Sequence, residues 1–154
     1  MVEEVAGYVS YASALADGID NALTLWVERS VAQIMTAWAG SVPADVAAAA
    51  KSAGEQARAE VGPRIRALLL ADIDDQSTTP LAILRADAVR YPTDVLQKAG
   101  VPPVQRDEFV EEAFPEDVYD LAPASFADLD AGLGDVGIGW GAAKAFEHKR
   151  RHSV

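Results

Sequence analysis

From Val5 to Leu69 the apolar residues return every three or four positions, a period that gathers them on one side of a helix. Over residues 5–16 the face is Val5, Tyr8, Val9, Ala12, Leu15 and Ala16. Gly18, conformationally free, is expected to interrupt the helix. Residues 20–39 resume the period with Leu23, Trp26, Val27, Ser30, Ile34 and Trp38, both tryptophans facing one way into a core. Gly40-Ser41-Val42-Pro43 reads as a helix stop followed by a helix start. The next helix is predicted to reach about Asp72 on a stripe of small residues: Val46, Ala50, Ala53, Ala57 and Val61, then Ile65, Leu68 and Leu69. Pro63 lies inside it and predicts a kink or break, because proline removes a donor and collides with the preceding turn. Nowhere does a run of β-branched residues alternate with period two, so no sheet is expected. The fold class is all-α: an irregular helical bundle with longer N-terminal helices and several short C-terminal ones.

Proline and glycine punctuate the rest. Asp72–Ser77 reads as a polar loop, and Thr79-Pro80 opens a helix to about Val89. Tyr91-Pro92-Thr93 ends that helix and opens another over 93–99, closed by Gly100. Val101-Pro102-Pro103-Val104 is a stiff extended connector. Short helices are predicted at 107–114, 116–120 and 123–129. Glycines 132, 134, 137, 139 and 141 predict a flexible stretch before a last helix over 142–152, secured by Trp140 and Phe146. Residues 1–154 form one domain, with a sub-boundary near 100–104; a chain of this length buries roughly 70% of its unfolded surface and folds without metal or disulfides.

Thr79-Pro-Leu-Ala-Ile-Leu, Tyr91-Pro-Thr-Asp-Val-Leu, Ala99-Gly-Val-Pro-Pro-Val, Asp107-Glu-Phe and Ala113-Phe-Pro-Glu-Asp-Val-Tyr form a pattern, completed by Leu121-Ala-Pro-Ala-Ser-Phe-Ala-Asp-Leu-Asp130 and Trp140-Gly-Ala-Ala-Lys-Ala145. From Gly62 onward the chain thereby resembles a family of small uncharacterised proteins of high-GC Gram-positive bacteria, the actinobacteria. The resemblance implies a bacterial, cytosolic origin and brings no mechanism.

Charge narrows the function. The net charge is −11, and residues 92–135 alone hold eleven acids against two bases, while residues 136–154 carry a net +3. Such a surface repels phosphate backbones, so no nucleic-acid partner is expected. The longest charge-free run, 30–44, is broken by polar residues and falls short of the about 20 apolar residues a membrane span needs. The start, Met1-Val-Glu-Glu, has acids where a secretory signal has positive charge, so the cytoplasm is the expected location. The absence of cysteine removes thiol catalysis and cysteine-based metal sites.

The formal chemical motifs are weak. Gly132-Leu-Gly134-Asp-Val-Gly137 matches a dinucleotide fingerprint, but no strand precedes it and Asp135 repels anions; a turn is the better reading. His148 and His152 share a helical face with Lys149, Arg150 and Arg151 between them, which disfavours a bound dication. Asp72, Asp74 and Asp75 lack the spacing of a calcium loop. No cofactor, metal site or catalytic residue is assigned. Glu111 with Asp117 is a conceivable acid–base pair, which would need one acid in an apolar pocket.

Residues 107–130 stand out: nine carboxylates, no lysine or arginine, and the aromatics Phe109, Phe114, Tyr119 and Phe126, broken by Pro115 and Pro123. Aromatic anchors ringed by charge suit docking of a basic protein partner. The expected site is Phe109, Glu111, Glu112, Phe114, Glu116, Asp117 and Tyr119 of a non-catalytic interaction or regulatory protein. The alternative is a small enzyme or small-molecule binder with a carboxylate-lined pocket. Apolar surface left on the first two helices is expected to support a homodimer.

Overall fold

The computed structural model describes residues 2–71 and 80–151. The side chain of Val5, the polar segment 72–79 with Asp72, Asp74 and Asp75, and His152 lie outside what is described. The elements are α1 (Val2–Ala39), α2 (Ala44–Leu69), α3 (Pro80–Ile83) continued by a π-helical turn (Leu84–Ala88), α4 (Arg90–Lys98), α5 (Glu108–Ala113), a 3₁₀ turn (Phe126–Asp128) and α6 (Leu133–Arg151). Among the described residues there is no strand, and the fold is all-α. No described helix is long and apolar enough to cross a membrane.

The spine is α1, whose 38 residues span roughly 57 Å at 1.5 Å per residue. It packs first against α2, then against α6 and α4. One hydrophobic cluster joins Ala12, Leu15, Ile19, Leu23 and Trp26 of α1 to Ala57, Val61 and Ile65 of α2, Leu84 of the π turn, and Leu133 and Trp140 of α6. Fully burying a Leu or Ile side chain contributes about 1.5–3 kcal/mol, so this cluster is the main source of stability. A second, smaller cluster lies toward the far end of α1, where Val31, Met35, Val46 and Ala50 meet Val95, Leu96, Val101 and Tyr119.

Two expected breaks are absent. Gly18 does not interrupt α1; a Cβ there would collide with the Leu133 side chain, so the glycine serves the α1–α6 approach. The glycine run does not precede the last helix but opens it, and α6 starts at Leu133, ahead of the predicted 142. A Cβ on Gly137 would sit 2.7 Å from Phe126 Cδ2, and one on Gly139 would collide with the Tyr11 ring. These glycines form a shallow seat for two aromatic rings, and tertiary packing overrides their poor helix propensity. α2 runs through Pro63 without breaking.

Other expectations hold. Gly40 (φ 82°) and Gly100 (φ 80°) occupy the left-handed conformation that ends α1 and follows α4. The boundary expected at Tyr91-Pro92-Thr93 falls earlier: α4 already begins at Arg90, and Pro92 sits in its first turn, where a missing N–H is tolerated. The C-terminus of α2 is tied down by α1 and α6: Tyr8 Oη and Trp140 Nε1 both donate to the Leu69 carbonyl, at 2.7 and 3.3 Å. These bonds satisfy a terminal carbonyl that has no partner within its own helix.

Three predicted anchors are corrected. Trp38 is 50% exposed, because α1 runs past its neighbours and every residue from Thr36 to Ser41 is exposed. Phe146 is 52% exposed, since the inward positions of α6 are taken by Trp140, Ala143 and the buried Glu147. Val9 is 45% exposed. The predicted helices at 116–120 and 123–129 shrink to tight turns and the 3₁₀ turn, because Asp120 adopts φ 55° and halts the first.

Opposite signs are expected for two glycine substitutions in urea denaturation. At Gly54 a Cβ would lie 2.7 Å from the Thr24 carbonyl oxygen and 2.9 Å from its Cα. Backbone cannot yield, so Gly54→Ala is expected to destabilise by about 1–3 kcal/mol. At Gly141 nothing lies within 4 Å, and Gly141→Ala is expected to stabilise by up to about 1 kcal/mol.

Candidate functional site

The acidic segment sorts by residue type. Its aspartates mostly serve the backbone, as short carboxylates do at caps and turns. Asp107 Oδ1 caps α5 by accepting from Val110 N at 2.8 Å, and Asp128 Oδ2 accepts from Ala124 N and Ser125 N at 2.7 and 3.1 Å. Asp130 Oδ1 accepts from Gly132 N at 2.8 Å. Asp117 is 4% exposed, and its two oxygens accept from Leu121 N and Ala122 N, each at 2.8 Å. The glutamates Glu108, Glu111, Glu112 and Glu116 are all exposed.

The aromatics divide as well. Tyr119 is 2% exposed, and its hydroxyl donates to the Val101 carbonyl at 2.6 Å; burial pushes its phenol up from the ordinary value. Phe126 is partly buried and meets Trp140 edge to face, with ring centroids 6.5 Å apart. Phe109 is 77% exposed, and Phe114 sits at the edge of exposure with the Arg85 guanidinium 5.7 Å from its ring centroid. α5 buries none of its residues. It is held as a finger by the Asp107 cap at one end and by Arg106 Nη1, which donates to the Phe114 carbonyl at 2.6 Å, at the other.

Of the seven expected site residues, the structure therefore leaves Phe109, Glu111, Glu112, Phe114 and Glu116 on the surface, with Asp117 and Tyr119 inside. Asp117 has both oxygens engaged by backbone amides while Glu111 is exposed, so the two do not form the envisaged acid–base pair. Arg85, unforeseen in the sequence, fixes the base of the finger: besides facing Phe114, its Nε donates to the Pro123 carbonyl at 3.0 Å. Two small grooves of about 390 and 290 Å³ flank Phe114 against Arg85 and Ala86.

Beyond Pro115 an open cleft of about 620 Å³ separates α2, α4 and the turn that follows α5. Its acids are Glu60, Asp94 and Glu116, and its one cation is Arg90. Glu60 is oriented by two donors: the Tyr91 hydroxyl binds Oε2, and Gln56 Nε2 binds Oε1 at 3.0 Å. Those donors hold its carboxyl below the usual carboxylate range. Burial, and then the bond to Glu60, push the Tyr91 phenol up to about 12. One signal for this cleft was available. Gln56 and Glu60 are four apart, and Arg90, Asp94 and Gln97 four and three apart, so each set shares a helical face. That the two faces meet is a tertiary fact.

Among the described residues no group of three or more His, Asp or Glu side chains is placed to hold a metal ion. The Gly132–Gly137 run leads into α6 with no strand before it, which is not the context a pyrophosphate loop requires. Comparison with protein-family models, curated proteins and solved structures gave no match.

Two sets of substitutions test these assignments. Asp117→Ala is expected to lower stability by about 2 kcal/mol and Tyr119→Phe by about 1 kcal/mol in chemical denaturation, each leaving buried backbone groups unpaired. The folded-state value of Tyr91 is raised from 10.0 to about 12, so its contribution is present below pH 10 and is lost as the pH climbs through about 12. The stability difference between the native chain and Tyr91→Phe is expected to shrink across that window.

Proposed function

We propose that this chain is a non-catalytic interaction or regulatory protein that presents an acidic, aromatic surface to a basic protein partner. The observation that carries the reading is α5: a capped helix that buries no residue and holds Phe109 77% exposed. A phenyl ring so placed adds nothing to the core. Glu108 and Glu112 flank it on the same helix and Glu111 is exposed on the other face, so an apolar anchor stands on an acidic helix. These acids steer cationic surfaces and repel anionic ones. Self-association through this surface would set like charge against like; a second copy would more readily use α1, where Leu25 is 63% exposed.

The second reading, a small enzyme or small-molecule binder, is favoured by the carboxylates of the cleft. General-acid chemistry needs a carboxyl whose value is raised toward neutrality. Glu60 is shifted the other way by its two donors, which favours its use as a hydrogen-bond acceptor over use as a general acid.

Phe109→Ala and the double variant Glu111→Gln, Glu112→Gln are expected to fold within about 0.5 kcal/mol of the native chain, because these side chains are exposed. Each is expected to lose partner capture from source-cell lysate at low salt, and the native chain to lose it at high salt. Capture that is indifferent to salt and to both variants would falsify the reading.

A further inference from the structure

Three carboxylates enter the cleft from three separate elements: Glu60 from α2, Asp94 from α4 and Glu116 from the turn after α5. They are not a run along one helix, and Glu60 is held in orientation by Tyr91 and Gln56. Arg90 offsets only one of the three charges; it lies 6.0 Å from the Tyr91 ring centroid, with Nε donating to the Asp87 carbonyl at 3.4 Å. Thr93 lines the same cleft, is 6% exposed, and has the one buried side-chain polar atom without a hydrogen-bond partner among the described residues. The remaining wall is the apolar pair Pro115 and Val118 together with the amide of Gln97.

Anionic acceptors beside an apolar patch complement a long side chain with an aliphatic stem and a cationic head. A guanidinium presents five donors in a fixed plane and is weakly hydrated, so it can meet acceptors from several directions at once; an ammonium is a strongly hydrated point charge. We infer that the cleft is the receptor for an arginine side chain of the basic partner. This rests on the docking surface proposed above, which the cleft joins through Glu116. Its volume of about 620 Å³ leaves room for the peptide backbone that carries the side chain.

The test is an amide-resolved NMR titration of the intact chain with three probes: N-acetyl-Gly-Arg-Gly-amide, the same peptide with citrulline for arginine, and butylguanidinium. The arginine peptide is expected to shift the amides of Glu60, Tyr91, Asp94 and Val118 saturably. The neutral citrulline peptide is expected to bind at least about tenfold more weakly, since it lacks the charge-assisted bonds. Asp94→Asn and Glu116→Gln, both at exposed positions, are each expected to weaken the arginine peptide by about three- to tenfold without changing the unfolding midpoint. Shifts that never saturate, or that spread evenly over α5 and persist in Asp94→Asn, overturn the inference. Butylguanidinium binding as tightly as the peptide also overturns it, and gives the cleft to a free organic cation. Phe109→Ala separates the two readings. If partner capture ignores that change while the tripeptide still saturates, the docking surface fails and the cleft stands.

Discussion

α1 and α2 approach closely at Thr24 and Gly54, where a methyl group would meet backbone rather than side chain. The Thr24 hydroxyl also donates to the Gly54 carbonyl at 3.1 Å, so contact and hydrogen bond fall at one crossing. The α1–α2 pair is the most extensive helix contact of the fold. The small-residue stripe Ala50, Gly54, Ala57 and Val61 gives α2 a flat face to lay on the spine. With α2 seated, its C-terminal carbonyl lies where Tyr8 and Trp140 can both reach it, and α6 closes over the other side of α1. α4 packs against both helices.

The helical period and the glycine stops at Gly40 and Gly100 were legible in the sequence because they are local properties of the backbone. Gly18 and the glycines of α6 were misread for the same reason. Taken alone a glycine weakens a helix, and only a neighbour such as Leu133 or Tyr11 reveals that the missing Cβ is what packing requires. Trp38 shows the converse: its spacing fits the buried stripe, yet no partner extends far enough to cover it. Spacing says which residues share a face and is silent on where the opposing element ends.

The acidic segment was read as one surface, and it is two populations. Asp107, Asp117, Asp128 and Asp130 are consumed by backbone amides, while the longer glutamates reach water. Short acids favour caps and turns, so part of this division was available from residue type. The burial of Asp117 was not. It depends on Asp120 taking a left-handed conformation that folds the amides of Leu121 and Ala122 back onto the carboxylate. Of these acids only Asp117 is withdrawn from the negative surface; Asp107, Asp128 and Asp130 stay exposed while backbone amides fix their orientation.

The two hydrophobic clusters along α1 are unequal, and the Asp94 and Glu116 side of the cleft stands on the lesser one, beside Val95 and Val118. Cooperative units with fewer buried contacts open at lower free energy and exchange their amide hydrogens sooner. The proposed cleft thus borders the smaller cluster, while the larger one joins α1, α2 and α6. An occupant of the cleft would slow exchange at that end alone and leave the larger cluster unchanged, so the molecule would report engagement as a local stiffening rather than a change of shape.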